Sequence, residues 1–526
     1  MFSQHLAVLC TSWQSLIASW RSTMTEVDLS GSISNAALRT VARSCPALRV
    51  LLLSQRSSLS DPYVASGSRW HKLKYDLACL EKIDHDTIWL VAKSCTELRR
   101  VDVSSCKAQT AFIVNCPHLE DLDCSYNEEG YFTIFSALED FPCASTLTAL
   151  DVSHSIGMFR KEGLGFAALV VLGQFCPRLA SLRLARCDLN PFSPDDNNPP
   201  GLRNLLPSQC ARGTDGRADA GCPLLHTLDL FGCRQVSDAD IEALCSELTE
   251  IRHLHLSECL DLSNRALGSI AEHCHGLRSL HLMGLHSNFS GDALIRVAES
   301  CASLEALDLS STRSCFGHET LARVVRATGA NLISLHLFEC LAVTSATLHE
   351  IGKHCGGLRC LDVSMDALVS DSGILSVAKG CPHLHTLCLS GCDQVSLPAL
   401  CEALKGLTEL RRLDVRYTFH ETNSAALSPL IHRLVQSCPQ LTRLALDGSV
   451  PPMQFLQQLE AASEGAFELR DNATETNDAD NDNFDLWVVW QRPRLANPNA
   501  PAAPAGDDTA TQPDNAHESL ATLELF

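Results

Sequence analysis

CPLLHTLDLFGC, Cys222 to Cys233, is one instance of a twelve-residue frame that recurs along most of the chain. The frame appears as CPALRVLLLSQR from Cys45, CPRLASLRLARC from Cys176 and CASLEALDLSST from Cys301. Later copies are CGGLRCLDVSMD from Cys355, CPHLHTLCLSGC from Cys381 and CPQLTRLALDGS from Cys438. The shared core is LxxLxL. Fifteen frames run from Met24 to Leu441, and a degenerate sixteenth is expected around Trp70 to Tyr75. Between Ile251 and Leu410 successive frames lie 26, 27, 28, 26, 26 and 26 residues apart. A fixed period of this length marks a stacked-repeat architecture.

Between frames the apolar period changes from two to 3.6. SNAALRTVARSC, SNRALGSIAEHC, SGDALIRVAESC and SDSGILSVAKGC each open on a serine suited to capping a helix. In the first of these, Leu38, Val41, Ala42 and Cys45 fall on one helical face. Each unit therefore predicts a short strand followed by a helix. Neither element can bury its apolar face alone, so the units must stack. The expected fold is an α/β solenoid of about sixteen repeats, with a parallel sheet on the concave face and helices outside. At about 4.8 Å per strand the inner arc measures on the order of 75 Å, a protein-sized surface.

Composition narrows the function. The 526 residues carry a formal charge of −21, which argues against nucleic acid or an anionic membrane as the main partner. No apolar run approaches the roughly 18 residues that cross a bilayer. The N-terminus MFSQHLAVLCTSWQSLIASW lacks a basic start and is broken by Gln and Ser, unlike a signal peptide. The 26 cysteines follow the repeat: ten hold the first frame position, and Cys106, Cys187, Cys233, Cys259, Cys340 and Cys392 hold the last. Small, buried, weakly polar side chains suit those positions, so the cysteines read as reduced structural thiols. An intracellular compartment, cytoplasmic or nuclear, follows from that reading.

The 26-residue period, with Cys-Pro before the leucine and a second cysteine eleven residues on, resembles the cysteine-containing class of leucine-rich repeats. That class is best known from F-box/leucine-rich-repeat proteins, the substrate receptors of SCF-type ubiquitin ligases. The resemblance covers about residues 23–450. LAVLCTSWQSLIASWRSTMTEVDLS, Leu6 to Ser30, is similar to the last part of an F-box running into a first repeat. The resemblance implies contact with a Skp-type adaptor through Leu9, Cys10, Trp13 and Leu16. The family's opening Leu-Pro segment and first helices have no match, so residues 1–22 also read as a helical cap on the solenoid.

The solenoid is expected over residues 23–462, interrupted by a Pro-, Gly- and Asp-rich loop at 189–221 and a shorter break at 126–146. From Glu464 onward thirteen Asp and Glu face three Arg, and residues 463–526 read as an acidic, mostly disordered tail. Within it FDLWVVW, Phe484 to Trp490, reads either as a strand capping the last repeat or as a linear motif for a partner.

Naming the frame positions L1-x2-x3-L4-x5-L6-x7-x8 puts L4 and L6 in the core and x3, x5 and x7 on the inner wall. Asp at x5 and Ser at x7 are the commonplace wall residues and read as a solvated face. Departures from them mark candidate partner contacts: Phe231, Met283, Phe338 and Arg416 at x7, and Glu258, Glu339, Met365 and Tyr417 at x8. Position x5 runs Asp229, His255, His281, Asp308, His336, Asp362 over six repeats, and His255, His281 and His336 join the candidate partner contacts. A sheet ladder lines such groups up without converging them, so neither a metal site nor a catalytic base is expected. Histidines beside aspartates are expected to hold their protons to higher pH.

No phosphate-binding glycine loop, nucleophile elbow or Cys-x-x-Cys pair is present. His273-Cys274-His275 and His354-Cys355 sit at helix-to-strand turns where cysteine is already explained. The chain therefore reads as a non-enzymatic recognition protein without cofactor or metal, holding a protein substrate on its concave face. A scaffold or regulator with no ligase link, and an inhibitor that plugs another enzyme, are the alternatives.

Overall fold

A computed structural model describes residues 26–28, 35–53, 85–104, 110–126, 142–154, 164–187, 189, 201–208, 221–284, 289–312, 316–419, 428–446, 468–471 and 486–491. Fifteen parallel strands follow one another in chain order and pair with their sequence neighbours. The first seven are β1 (Glu26–Asp28), β2 (Val50–Leu52), β3 (Arg100–Asp102), β4 (Asp121–Asp123), β5 (Ala149–Asp151), β6 (Ser181–Arg183) and β7 (Thr227–Asp229). The stack continues through β8 (His253–His255), β9 (Ser279–His281), β10 (Ala306–Asp308), β11 (Ser334–His336) and β12 (Cys360–Asp362). It reaches β13 (Thr386–Cys388), β14 (Arg412–Asp414) and β15 (Arg443–Leu446). The fold is an α/β leucine-rich-repeat solenoid.

Register explains why the stack holds. Leu228, Leu254, Leu280, Leu307 and Leu335 occupy the same place in consecutive strands and form one buried column. A buried leucine contributes about 1.5–3 kcal/mol, so regular spacing makes every repeat stabilise its neighbours. Helices such as Asn264–His273 and Asp371–Gly380 back the sheet. Helices need more lateral room than strands, so the stack bends with the sheet on its inner wall.

Helix starts are tied from coil to coil. The Ser263 N–H donates to Asp238 Oδ1 at 2.7 Å, Ser290 N–H to Asn264 Oδ1 at 2.7 Å, and Ser396 N–H to Asp371 Oδ1 at 2.6 Å. The first residue of one helix thus fixes the N-cap of the next. The helices Ser345–His354 and Asp371–Gly380 approach through glycine: a Cβ on Gly380 would lie 1.7 Å from the Gly352 carbonyl oxygen.

One feature departs from expectation. Strand β2 pairs directly with β3, Val50 opposite Arg100, so no sixteenth repeat can stand between them. The stretch Trp70 to Tyr75 itself lies outside the described residues. Beyond β15 the direction of pairing reverses: β17 (Leu486–Gln491) runs antiparallel to β15, and β16 (Glu468–Asp471) runs antiparallel to β17. Among the described residues no helix is long and apolar enough to cross a membrane.

Candidate functional site

The inner wall is built by the turn that follows each strand. Where x5 is Asp, its carboxylate accepts the x7 backbone N–H two residues on. Ser125 donates to Asp123 at 3.0 Å, Phe231 to Asp229 at 2.9 Å, and Ser364 to Asp362 at 2.8 Å. These x5 aspartates are therefore structural acceptors, and the x7 residues Ser104, Ser125, Ser257, Ser310 and Ser364 are buried. This overturns the expectation of a solvated Asp/Ser face. A backbone N–H that leaves the ladder needs a partner, and the short Asp side chain is the nearest one. In the His281 repeat, which lacks that aspartate, the Met283 N–H donates to the Ser257 hydroxyl of the preceding repeat at 2.9 Å.

Position x8 has its own constraint. Tyr126, His154, Arg186, Glu258, Ser311, Glu339, Met365 and Tyr417 all hold φ between 55° and 63°, and Gly232, Gly284 and Gly391 hold 68° to 71°. In this left-handed conformation the x8 N–H reaches the x7 carbonyl of the next coil. Glu258 donates to Met283 and Met365 to Ser390, at 2.8 and 2.6 Å. Glycine adopts this geometry without penalty, whereas another residue costs about 1–2 kcal/mol. The glycines of FGC and SGC were the sequence signal for it. Reading x8 only for unusual side chains missed Tyr126, His154 and Arg186.

The sequence-selected residues separate into two groups. In the middle of the wall they pack on each other. Phe231, only 5% exposed, lies under the Arg186 guanidinium at 5.0 Å and against the His255 ring at 5.3 Å. His255 continues to His281 at 4.8 Å, while Tyr126 stacks on His154 at 4.5 Å. Glu258 pairs with Arg186 at 3.4 Å. Phe231 and His281 are thus covered, against the expectation of freely presented contacts, because x7 is drawn into the turn and the ladder closes over both. Met283, His336, Phe338 and Glu339 are half-buried. Towards the C-terminal end Met365 is 50% and Tyr417 42% exposed, while Arg416 is held by Asp414.

The x5 histidines do not share one protonation behaviour. Burial opposes charge on His255, but Asp229, with Oδ1 3.2 Å from Nδ1, raises its pKa. Burial works to raise the Asp229 carboxyl, and His255 and the Phe231 N–H hold it down at about 2. Burial and the charge of His255 lower His281 despite Asp308 beside it, 3.7 Å from Nδ1. Burial alone pushes His336 down to about 4. Of the three x5 histidines His255 alone is raised, and burial lowers the other two.

The cysteine columns show why that residue recurs. First-position thiols donate to the same position of the preceding coil: Cys95 to the Cys45 carbonyl and Cys301 to that of Cys274, each at 3.3 Å. Last-position thiols reach the preceding L6 carbonyl, as in Cys233 to Leu184, Cys259 to Leu230 and Cys392 to Val363, each at 3.1 Å. Thr418 does the same with its hydroxyl to Leu389 at 2.7 Å. Asp366 occupies this column too, buried, with burial pushing its carboxyl up to about 9. Among the described residues no group of three or more His, Cys, Asp or Glu side chains is placed to hold a metal. Leu9, Cys10, Trp13 and Leu16 lie outside the described residues.

The wall and its repeat define a leucine-rich-repeat protein. A scan against models of known families finds no match. F-box protein SKIP1 from Arabidopsis thaliana is 28% identical over 220 residues, which are 41% of this chain and 60% of that relative. The chain thus spans about three-fifths of the length of the curated relative it matches. Rad7, solved in complex with Elc1 from yeast, superposes with a TM-score of 0.47 at 18% identity, covering 70% of this chain and 86% of the other. The leucine-rich repeat-containing protein LegL7 from Legionella pneumophila gives 0.35 at 19% identity, covering 55% and 90%.

Proposed function

We propose that the protein recognises another protein on its inner wall, as the non-catalytic substrate receptor of an SCF-type ubiquitin ligase. The observation that carries recognition is the C-terminal part of the wall. Met365 and Tyr417 are exposed apolar side chains held at left-handed x8 positions where glycine would be less strained. The left-handed turn recurs at eight non-glycine x8 positions, and the exposure of an apolar side chain sets these two apart. Exposed Met and aromatic residues on a rigid scaffold are also the types that anchor protein interfaces.

The ligase link draws support from the repeat class and from the likeness to a protein named for its F-box. In this reading Leu9, Cys10, Trp13 and Leu16 dock a Skp-type adaptor, and the solenoid raises the substrate's effective concentration beside the ubiquitin-carrying enzyme. The site of action is intracellular. Co-purification of the full chain with a Skp-type adaptor tests it. Capture by the wild type and loss in Cys10→Ala/Trp13→Ala support it; no capture by the wild type removes the ligase role.

A further inference from the structure

Positions x2 and x3, on the strands' leading edge, carry arginines, four of which have a carboxylate beside them. Arg99 pairs with Glu120 of the next coil at 2.5 Å, Arg100 with Asp121 at 3.2 Å, and Arg278 with Glu305 at 3.2 Å. Arg252 has Glu250 at 3.9 Å. The pattern is one guanidinium and one carboxylate, usually on adjacent coils.

In the last repeats the exposed arginines lose these partners. The x2 residues Arg359, His385 and Arg411 follow one another on consecutive coils, their backbones bonded in sequence at 2.7 Å. Arg412 stands beside them at x3, opposite Arg443 on the next strand. Arg359, Arg411 and Arg412 are exposed, and among the described residues none has a carboxylate within ion-pair distance. The nearby acids pair with other groups: Glu409 with His383 and with His385 between the arginines, and Asp414 with Arg416. His385 registers the uncompensated charge. Burial, Arg411 and Arg359 lower its pKa in spite of Glu409. In a chain of formal charge −21, an unbalanced cationic row on one edge has no packing role to explain it.

We infer that Arg359, Arg411 and Arg412 form a docking edge for an extended acidic segment of the protein partner. The inference rests on the recognition reading above. Coils about 4.8 Å apart put Arg359 and Arg411 roughly 10 Å from one another, the length of about three extended residues. The matching segment therefore carries anionic side chains at i and i+3, running along the stack across the strands. Guanidinium groups donate to carboxylates in a forked geometry, and elsewhere on this edge the arginines pair with Glu and Asp, so Asp and Glu side chains supply that charge.

The test is fluorescence anisotropy on the full chain with three labelled probes: an octaglutamate peptide, a phosphoserine peptide of equal length and a single-stranded oligonucleotide. The octaglutamate peptide is expected to bind, to weaken as salt rises, and to lose about tenfold or more in affinity with Arg359→Glu/Arg411→Glu/Arg412→Glu. A phosphoserine peptide bound more tightly than octaglutamate would overturn the carboxylate assignment. Arg99→Glu/Arg100→Glu, on the balanced edge, is expected to change affinity by less than about twofold. All five side chains are exposed, so circular dichroism melts should match the wild type. No peptide binding, equal losses in the two variants, or an oligonucleotide bound more tightly than either peptide would overturn the inference. Adaptor capture through the Leu9 to Leu16 segment involves none of these arginines, so either result can fail while the other stands.

Discussion

The repeats of β7 to β9 and those of β12 to β14 share one frame and use their unusual side chains in opposite ways. In the first group Phe231, His255 and His281 stack on one another beneath Arg186, and the aromatic surface is consumed inside the wall. In the second, Met365 and Tyr417 are 50% and 42% exposed, and three exposed arginines have no carboxylate at ion-pair distance among the described residues. Unusual residues on a repeat surface are therefore not equivalent. A departure that meets a neighbour on the next coil, such as Phe231 or Glu258, is consumed in the wall, whereas Met365 and Arg359 stay exposed.

The sharpest way to break that contrast is Phe231→Ala. Removing a covered ring that bridges Arg186 and His255 should destabilise the fold by about 2–4 kcal/mol and leave acidic-peptide affinity unchanged. Denaturant unfolding measures the first and anisotropy the second. A stable variant with weakened binding would move Phe231 into the recognition surface.

Asp366→Cys restores the residue that the column uses elsewhere and should stabilise by about 1–3 kcal/mol near pH 8. The sign follows from the raised carboxyl. Its proton is held in the fold up to about pH 9 but lost near 3.8 in the unfolded chain. The folded state is thus favoured at low pH and loses that advantage as pH rises between those values. Wild-type stability should fall between pH 6 and pH 8.5 by more than that of the variant, as thermal melts at both values would show. Equal slopes would mean that Asp366 is ionised in the fold.

Tyr417→Gly gives the smallest stability effect, neutral to about 1 kcal/mol stabilising, since glycine relaxes the left-handed backbone. If Tyr417 serves recognition, the same change weakens partner binding. A loss of more than about 1 kcal/mol of stability would show that the ring packs on the wall instead.

Much of this was legible from LxxLxL and its spacing. The leucine columns, the strand-then-helix unit and the burial of the cysteines follow from periods of two, 3.6 and about 26. Which wall residues stand free was not legible, because alternation describes a strand and x7 lies in the turn after it. The aspartate at x5 was misread for the same reason: its backbone partner two residues on becomes visible only once the turn closes. Charge balance on the leading edge was equally hidden. Arg99 and Arg359 occupy the same frame position, and only the coil beside each decides whether a carboxylate meets it.

The central claim is that structure and recognition occupy different ends of one wall. Melting temperature and octaglutamate affinity, measured together for Phe231→Ala and for Arg411→Glu/Arg412→Glu, test it most directly. A crossed result is expected: the first variant melts lower by several degrees and keeps its affinity, and the second keeps its melting temperature and loses affinity. If both quantities move together in either variant, the division between the two ends of the wall is wrong.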